Sequence, residues 1–272
     1  MKLGFIGCGN MANAIMGGII RAGLVPAEEI IGSDPTADGR ERTRRENGIL
    51  VTDSNREVVE KAEVLFFTIK PQYFHEMIAG IRDLVREDQL IISIAAGRTL
   101  AYIASEFGEK KVKVVRLMPN TPAMVGEGMT AACANENVSK EELAYAVKIC
   151  AGFGRAEIVP ESLFDVVTAV SGSSPAYVFM FIEAMADAAV QGGMARAQAY
   201  TFAAQAVLGS AKMVLETGKH PGELKDMVTS PAGTTIEAVR VLEEKGFRSA
   251  VFEGTKACME KSAQMRMQQG KK

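Results

Sequence analysis

At 272 residues, with 47% hydrophobic and 24% charged side chains, the chain is long enough for one large domain or two ordinary ones and has a globular composition. A formal net charge of -2 offers no basic excess for a phosphate backbone or an anionic bilayer, so nucleic acid and membrane are excluded as first partners and a small molecule is expected. The four cysteines, Cys8, Cys133, Cys150 and Cys258, have neither metal-ligand spacing nor the density of a disulfide scaffold, which fits a reducing cytoplasm and implies no metal.

The first residues, "MKLGFIG", read as a strand and lack the basic, apolar, small-residue order of a signal peptide. Strands are predicted at "KLGFI", "EIIGS", "VLFFTI", "LIISIAA" and "VKVVRLM", separated by helical segments that start near Asn10, Gly39, Asn55, Tyr73 and Thr99. Such alternation predicts an α/β fold of Rossmann type, a doubly wound parallel sheet covered on both faces, because crossovers between parallel strands need helices. "MTAACA" and "AEIV" are expected as edge strands. After Pro160 the β-branched runs fade and the chain becomes all-α, so residues 1–160 are expected to bind a dinucleotide and 161–272 to form a helical unit for dimerisation and substrate. There, Ser174 reads as an N-cap followed by Pro175 at the first helical position, and Gly192-Gly193 as a stop. Further helices are expected over about Arg196–Thr217, over Glu223–Val228, and after Thr235 and Arg248. "AYVFMFIEAMADAAV" is broken by Glu183 and Asp187 short of the roughly 20 residues that span a bilayer, and reads as a buried or subunit-interface helix. The polar tail "QMRMQQGKK" is expected to fray.

"GFIGCGNMANAI" sets Gly7-x-Gly9-x-x-Ala12 directly between the first strand and the first helix. The first glycine permits a tight turn, the second lets backbone approach a pyrophosphate, and the small third residue lets the helix pack closely. Helix N-terminal amides then receive the phosphates, so a nicotinamide or flavin dinucleotide is expected. Asp34 follows the second strand where a ribose-binding carboxylate would sit, which favours NADH; Ser33 and the arginines Arg40, Arg42, Arg44 and Arg45 offer partners for a 2′-phosphate instead. Lys70-Pro71 and Ala95-Ala96-Gly97 close later strands at the edge where open α/β sheets bind ligands.

One stretch of the helical half, "TSPAGTT" at residues 229–235, carries four hydroxyls and no charge. It reads either as an ordinary connection with Thr234 capping the next helix, or as a nest of backbone amides from Ser230 to Thr235 able to hold a carboxylate.

Together, "IGCGNM", "IKPQ", "AAG", "MPNTP", "SGSSPAY", "HPGELKDMVTSPAGTT" and "GFRS" resemble the pyrroline-5-carboxylate reductases, in order and from residue 1 to about 262. The resemblance implies hydride transfer from NADPH or NADH to the C=N bond of Δ1-pyrroline-5-carboxylate, giving L-proline in the last step of its biosynthesis. It also implies a helical dimerisation domain and dimers arranged in rings. Carried over, Gly7, Gly9, Asn10 and Met11 look like the diphosphate turn, Ser33, Asp34 and Asn55 the adenosine end, and Lys70, Pro71, Ala95, Ala96 and Asn120 the nicotinamide side. Glu161, Ser230, Gly233, Thr234 and Thr235 resemble substrate contacts, with the Thr235 hydroxyl on the ring nitrogen as the catalytic group. Ser174 stands where glycine is frequent in such enzymes, and Asp34 after Ser33 puts NADPH preference in doubt. Two rivals are weighed: a β-hydroxyacid dehydrogenase, disfavoured because no lysine lies between Ile149 and Ala211, and a nucleotide sensor without chemistry, which would not need the hydroxyl-rich loop.

Overall fold

A computed structural model describes residues 2–269. It contains two compact units, Met1–Gly172 together with Met259–Lys272, and Ser173–Cys258.

In the first unit, strands β1 (Leu3–Ile6), β2 (Ile30–Ser33), β3 (Leu50–Thr52), β4 (Val64–Phe67), β5 (Leu90–Ser93), β6 (Lys113–Met118), β7 (Gly128–Ala134) and β8 (Gly154–Ile158) form one sheet in the order β3-β2-β1-β4-β5-β6-β7-β8. The first six run parallel; β7 is antiparallel to β6, and β8 follows β7 in parallel. Helices α1 (Asn10–Arg21), α2 (Ala37–Asn47), α3 (Asn55–Lys61), α4 (Phe74–Ile81), α5 (Leu100–Ser105), α6 (Lys140–Cys150) and α7 (Phe164–Val167) accompany it. Because side chains alternate along each strand, the apolar runs feed two cores at once. Leu3, Phe5, Phe66 and Ile92 pack with Ile15, Met16 and Ile19 of α1, whereas Ile6, Leu65, Phe67 and Ile91 pack with α3 and α4. Burial on both faces is why these strands read as continuous apolar runs.

The chain turns outward from β1 to β3 and returns to β4 on the other side of β1, so the sheet order reverses beside β1. In open α/β sheets, ligands sit at that reversal.

Three elements escaped the sequence reading: β3, α6 and the four-residue α7. β3 is a three-residue edge strand with Leu50 largely exposed, too short for a period to register. α6 had a usable signal: Ser139 Oγ accepts the Glu142 amide (3.1 Å) and Glu142 returns the bond to the Ser139 amide (2.8 Å), a capping box encoded in "SKEE".

The compact units divide later than the 160/161 boundary expected from composition. Residues after Pro160 stay with the sheet through side-chain bonds: Glu161 Oε1 accepts from Arg116 Nη1 at 2.8 Å and from the Leu100 amide at 2.7 Å. The described part of the tail, 264–269, continues the last helix. α12 (Phe247–Gln269) is helical to its end, and Ser262 and Arg266 both bind Asp165. The last three residues of the tail, Gly270–Lys272, lie outside the described residues.

The second unit holds α8 (Ser174–Gln191), α9 (Arg196–Thr217), α10 (Pro221–Met227), α11 (Thr234–Glu244) and the start of α12. The expected stops hold, with Gly192 at the end of α8 and a left-handed Gly218 after α9. Ser174 is the first residue of α8, not its cap. The unit buries few side chains, among them Ala186, Ala199 and Ala203, while Phe179 (61% exposed), Met180 (69%), Phe202 (61%) and Phe252 (66%) face outward. The helical stretch Glu161–Gln191 contains an 18-residue window that by length and composition meets the measure of a membrane span, with a mean hydropathy of 1.2 and 11% of that window buried.

Arg116 is nearly buried, so removing its carboxylate partner leaves an unpaired charge. Glu161→Ala is expected to lower unfolding free energy by roughly 1.5–3 kcal/mol, read by urea denaturation; an unchanged midpoint would show the pair contributes nothing.

Candidate active site

The turn from β1 into α1 is fixed from several sides. Gly7 has φ +94°, open to glycine and strained for other residues, and a Cβ there would stand 2.6 Å from Ile69 Cγ2. Its amide donates to the Ser33 carbonyl (2.9 Å), and its carbonyl accepts from Thr68 Oγ1 (2.6 Å), so the ends of both neighbouring strands hold it. Gly9 is different. Its φ of -72° suits any residue, and a Cβ on it would meet no atom of the chain within 4 Å. Nothing in the fold requires glycine there, and the open backbone leaves room for a ligand to approach. Gly9 starts α1 with no side-chain cap, which leaves first-turn amides for an anion, while Met11 packs on the core and Ala12 is buried as the third small residue must be. These residues fit a dinucleotide diphosphate.

Cys8 lies inside the turn as a packed filler. Burial, reinforced by the nearby Asp34 carboxylate, pushes its thiol up to about 12, so it stays neutral and unreactive.

At the adenosine end, Ser33, Asp34 and Asn55 come together beyond β2. Ser33 Oγ is buried and donates to Asn55 Oδ1 at 2.7 Å. Asp34 was expected as a ribose ligand; its carboxylate takes the Thr36 amide (2.9 Å) and hydroxyl (2.6 Å) on Oδ1 and the Cys8 amide (3.3 Å) on Oδ2. A carboxylate has about four acceptor positions, so capacity for a ribose hydroxyl remains. Three of the four candidate arginines are engaged: Arg40 with the Asp34 carbonyl, Arg42 with Cys8 and Asn10, and Arg44 with Glu41.

Lys70 and Pro71 follow β4, and Ala95 and Ala96 follow β5, at the carboxyl edge of the sheet. Arg98, unremarked in the sequence, ties the two loops together by donating to the Pro71 carbonyl at 2.7 Å while stacking on Tyr102. Asn120, expected as a nicotinamide neighbour, has its amide occupied internally: Oδ1 accepts from Met129 N (2.8 Å) and Nδ2 donates to the Ser171 carbonyl (3.1 Å). Glu161, expected at the substrate, carries the structural bonds to Arg116 and α5.

In the second unit, the hydroxyl-rich stretch is a turn followed by a helix. The Gly233 amide donates back to the Ser230 carbonyl at 3.1 Å, with Pro231 second and a left-handed Ala232 (φ +56°) third, the arrangement of a type II turn. A non-glycine residue there carries strain of roughly 1 kcal/mol, a condition that concentrates at functional sites. The expected nest is therefore narrower than Ser230 to Thr235, because the Gly233 amide is satisfied within the turn. α11 begins at Thr234, with Gly233 as cap and no side-chain acceptor, so neither a start at Thr235 nor Thr234 as cap is observed. An uncapped first turn offers its amides and positive dipole end to an anion. His220 instead caps α10, its Nδ1 accepting the Gly222 amide at 3.1 Å, and His75 is an exposed partner of Glu106.

A family model described as pyrroline-5-carboxylate reductase dimerisation matches residues 161–265, and another, NADP oxidoreductase coenzyme F420-dependent, matches residues 2–97. The pyrroline-5-carboxylate reductase of Escherichia coli is 54% identical over 264 residues, covering 97% of this chain and 98% of its own. Among solved structures, a pyrroline-5-carboxylate reductase from Coxiella burnetii superposes with a TM-score of 0.90 at 33% identity, over 97% of this chain and 98% of that one. A Plasmodium falciparum pyrroline carboxylate reductase with NADP bound gives 0.88 at 31%, over 98% of each chain.

The two glycines of the turn should separate on substitution. Gly7→Ala is expected to lower stability by about 1–2 kcal/mol through its left-handed backbone. Gly9→Ala should melt like the parent yet bind NADPH or NADH about tenfold or more weakly in fluorescence titration, because the added methyl occupies the approach to the diphosphate. Parental affinity in Gly9→Ala would mean that no ligand lies against that backbone.

Proposed function

Because the chain belongs to the pyrroline-5-carboxylate reductase family, we propose that it reduces Δ1-pyrroline-5-carboxylate to L-proline with NADPH or NADH, the last step of proline biosynthesis. The observation that carries the reading is the uncapped start of α11 behind the Ser230–Gly233 turn. It is a receptor for a carboxylate built from main chain alone, in a chain whose other half carries the dinucleotide turn.

When bound, the reduced nicotinamide supplies hydride to the imine carbon, the π pair moves to nitrogen, and nitrogen takes a proton. The protein's part is binding and orientation. Gly7, Gly9, Asn10 and Met11 hold the coenzyme's diphosphate, Ser33, Asp34 and Asn55 its adenosine end, and the loops at Lys70-Pro71 and Ala95-Ala96, beside Asn120, its nicotinamide end. First-turn amides of α11, with Ser230, Gly233 and Thr234, hold the substrate acid. The Thr235 hydroxyl holds the ring nitrogen and its proton, so no strong acid is needed. Rate would then come from orienting the imine carbon toward the hydride donor.

The dimerisation model covers the helices whose aromatic and methionine side chains face outward, which supports a second copy of this chain, rather than a bilayer, as their cover. Glu183 and Asp187 within the apolar stretch favour the same reading. The reading extends to dimers arranged in a ring, and to a cytoplasmic enzyme whose four cysteines stay free.

Mixed with pyrroline-5-carboxylate, the protein should oxidise NADPH or NADH, followed by loss of reduced-nicotinamide absorbance; no oxidation of either coenzyme defeats the proposal. Thr235→Ala is expected to raise the barrier by roughly 1–3 kcal/mol in kcat while coenzyme Kd holds. Asp34→Ser should raise the ratio of kcat/KM for NADPH to that for NADH, since it removes a negative charge from the 2′ position; an unchanged ratio shows that Asp34 serves the turn alone.

A further inference from the structure

The dinucleotide turn is gripped from behind by a residue outside its motif. Arg42, in the middle of α2, sends Nη2 to the Cys8 carbonyl at 3.0 Å and Nη1 to Asn10 Oδ1 at 3.1 Å. The same carbonyl takes a second bond from Asn13 Nδ2 at 2.9 Å, and Asn13 is steadied by Asn47, whose Nδ2 donates to Asn13 Oδ1 at 2.7 Å. On its other side, the Cys8 amide is held by Asp34 Oδ2. This posture leaves the Arg42 Nε–H buried with no partner among the described residues, a cost that an arginine serving only solubility avoids by turning to water. Nor is Arg42 filling a core: it borders a cavity of about 310 Å³ shared with Asn10, Asn13, Arg21 and Asn47.

A trans peptide points its carbonyl and the next N–H in opposite directions. Drawing the Cys8 carbonyl toward α2 therefore turns the Gly9 amide away from α2, and the guanidinium adds positive charge one peptide behind it. Nη1 and Nη2 each give one of their two N–H groups to the turn. We infer that Arg42 is a coenzyme-positioning residue, orienting the Cys8–Gly9 peptide to receive the diphosphate shared by NADPH and NADH. This rests on the reading of Gly7–Met11 as the diphosphate turn.

The test titrates the full-length protein with each reduced coenzyme, following nicotinamide fluorescence. Arg42→Met is expected to raise both dissociation constants by the same factor, about tenfold, near the low end for one lost charge-assisted hydrogen bond. The kcat at saturating coenzyme and the KM for pyrroline-5-carboxylate should stay at parental values. Arg42→Lys should recover part of the affinity, because a single ammonium lacks the fork that reaches two acceptors, and it carries the same comparison should the Met variant not fold. Unchanged dissociation constants overturn the inference. So does a rise for NADPH alone, which would make Arg42 a 2′-phosphate ligand. Gly9→Glu separates the levels: parental coenzyme binding by that variant defeats the diphosphate-turn reading itself, whereas its loss of binding beside an unaffected Arg42→Met defeats only the role of Arg42.

Discussion

Everything in the first unit converges on one short peptide, Gly7–Asn10, which must be both immobile and unobstructed. Immobility comes from outside the segment: the Ser33 carbonyl, the Thr68 hydroxyl, the Asp34 carboxylate and the Arg42 guanidinium each hold a backbone group of the turn. Lack of obstruction comes from Gly9 and from a helix start without a side-chain cap. A turn held only by its own residues would need a cap at that position, and the cap would stand where the anion belongs. The eight-stranded sheet serves as the frame that brings the ends of β2 and β4 to either side of β1.

The second unit repeats the arrangement at the start of α11. Its turn closes on itself through Ser230 and Gly233, tolerates a left-handed alanine, and delivers the chain into α11 with no competing acceptor. Hydrogen-bond donors preorganised in a folded backbone need no rearrangement when the ligand arrives, which is how main chain can do the work of an arginine. The rest of the unit is poor in buried side chains and rich in exposed aromatic and methionine ones, a composition that makes sense for helices completed by a second copy.

Much of this was legible in residue order. Strands buried on both faces announce themselves as unbroken apolar runs, so five of the eight were visible directly, two more as edge segments, and only the three-residue β3 was lost. The fingerprint was readable because glycine is demanded at fixed offsets by backbone geometry, and the hydroxyl-rich turn because proline and glycine punctuate a helical region. Glu161 and Asn120 show the limit. Each matched a motif by position, but the bonds of Glu161 to Arg116 and the start of α5, and of Asn120 to Met129 and Ser171, could not be read there. A side chain's partners are chosen by neighbours far along the chain, and no local pattern reports them.

The sequence alone determined the fold class, the dinucleotide turn, the helical second half and the family, because these rest on local periodicity, on glycine's conformational range and on ordered motifs. Tertiary structure decided how the turn is held: that Asp34 reaches back to Cys8, that Arg42 crosses from α2 to grip the same residue, and that of the two fingerprint glycines Gly9, and not Gly7, faces open space. The physical reason is that hydrogen bonds between residues some thirty positions apart (|i−j| of 26 and 34) exist only once the sheet has set β1 beside β2 and α1 beside α2.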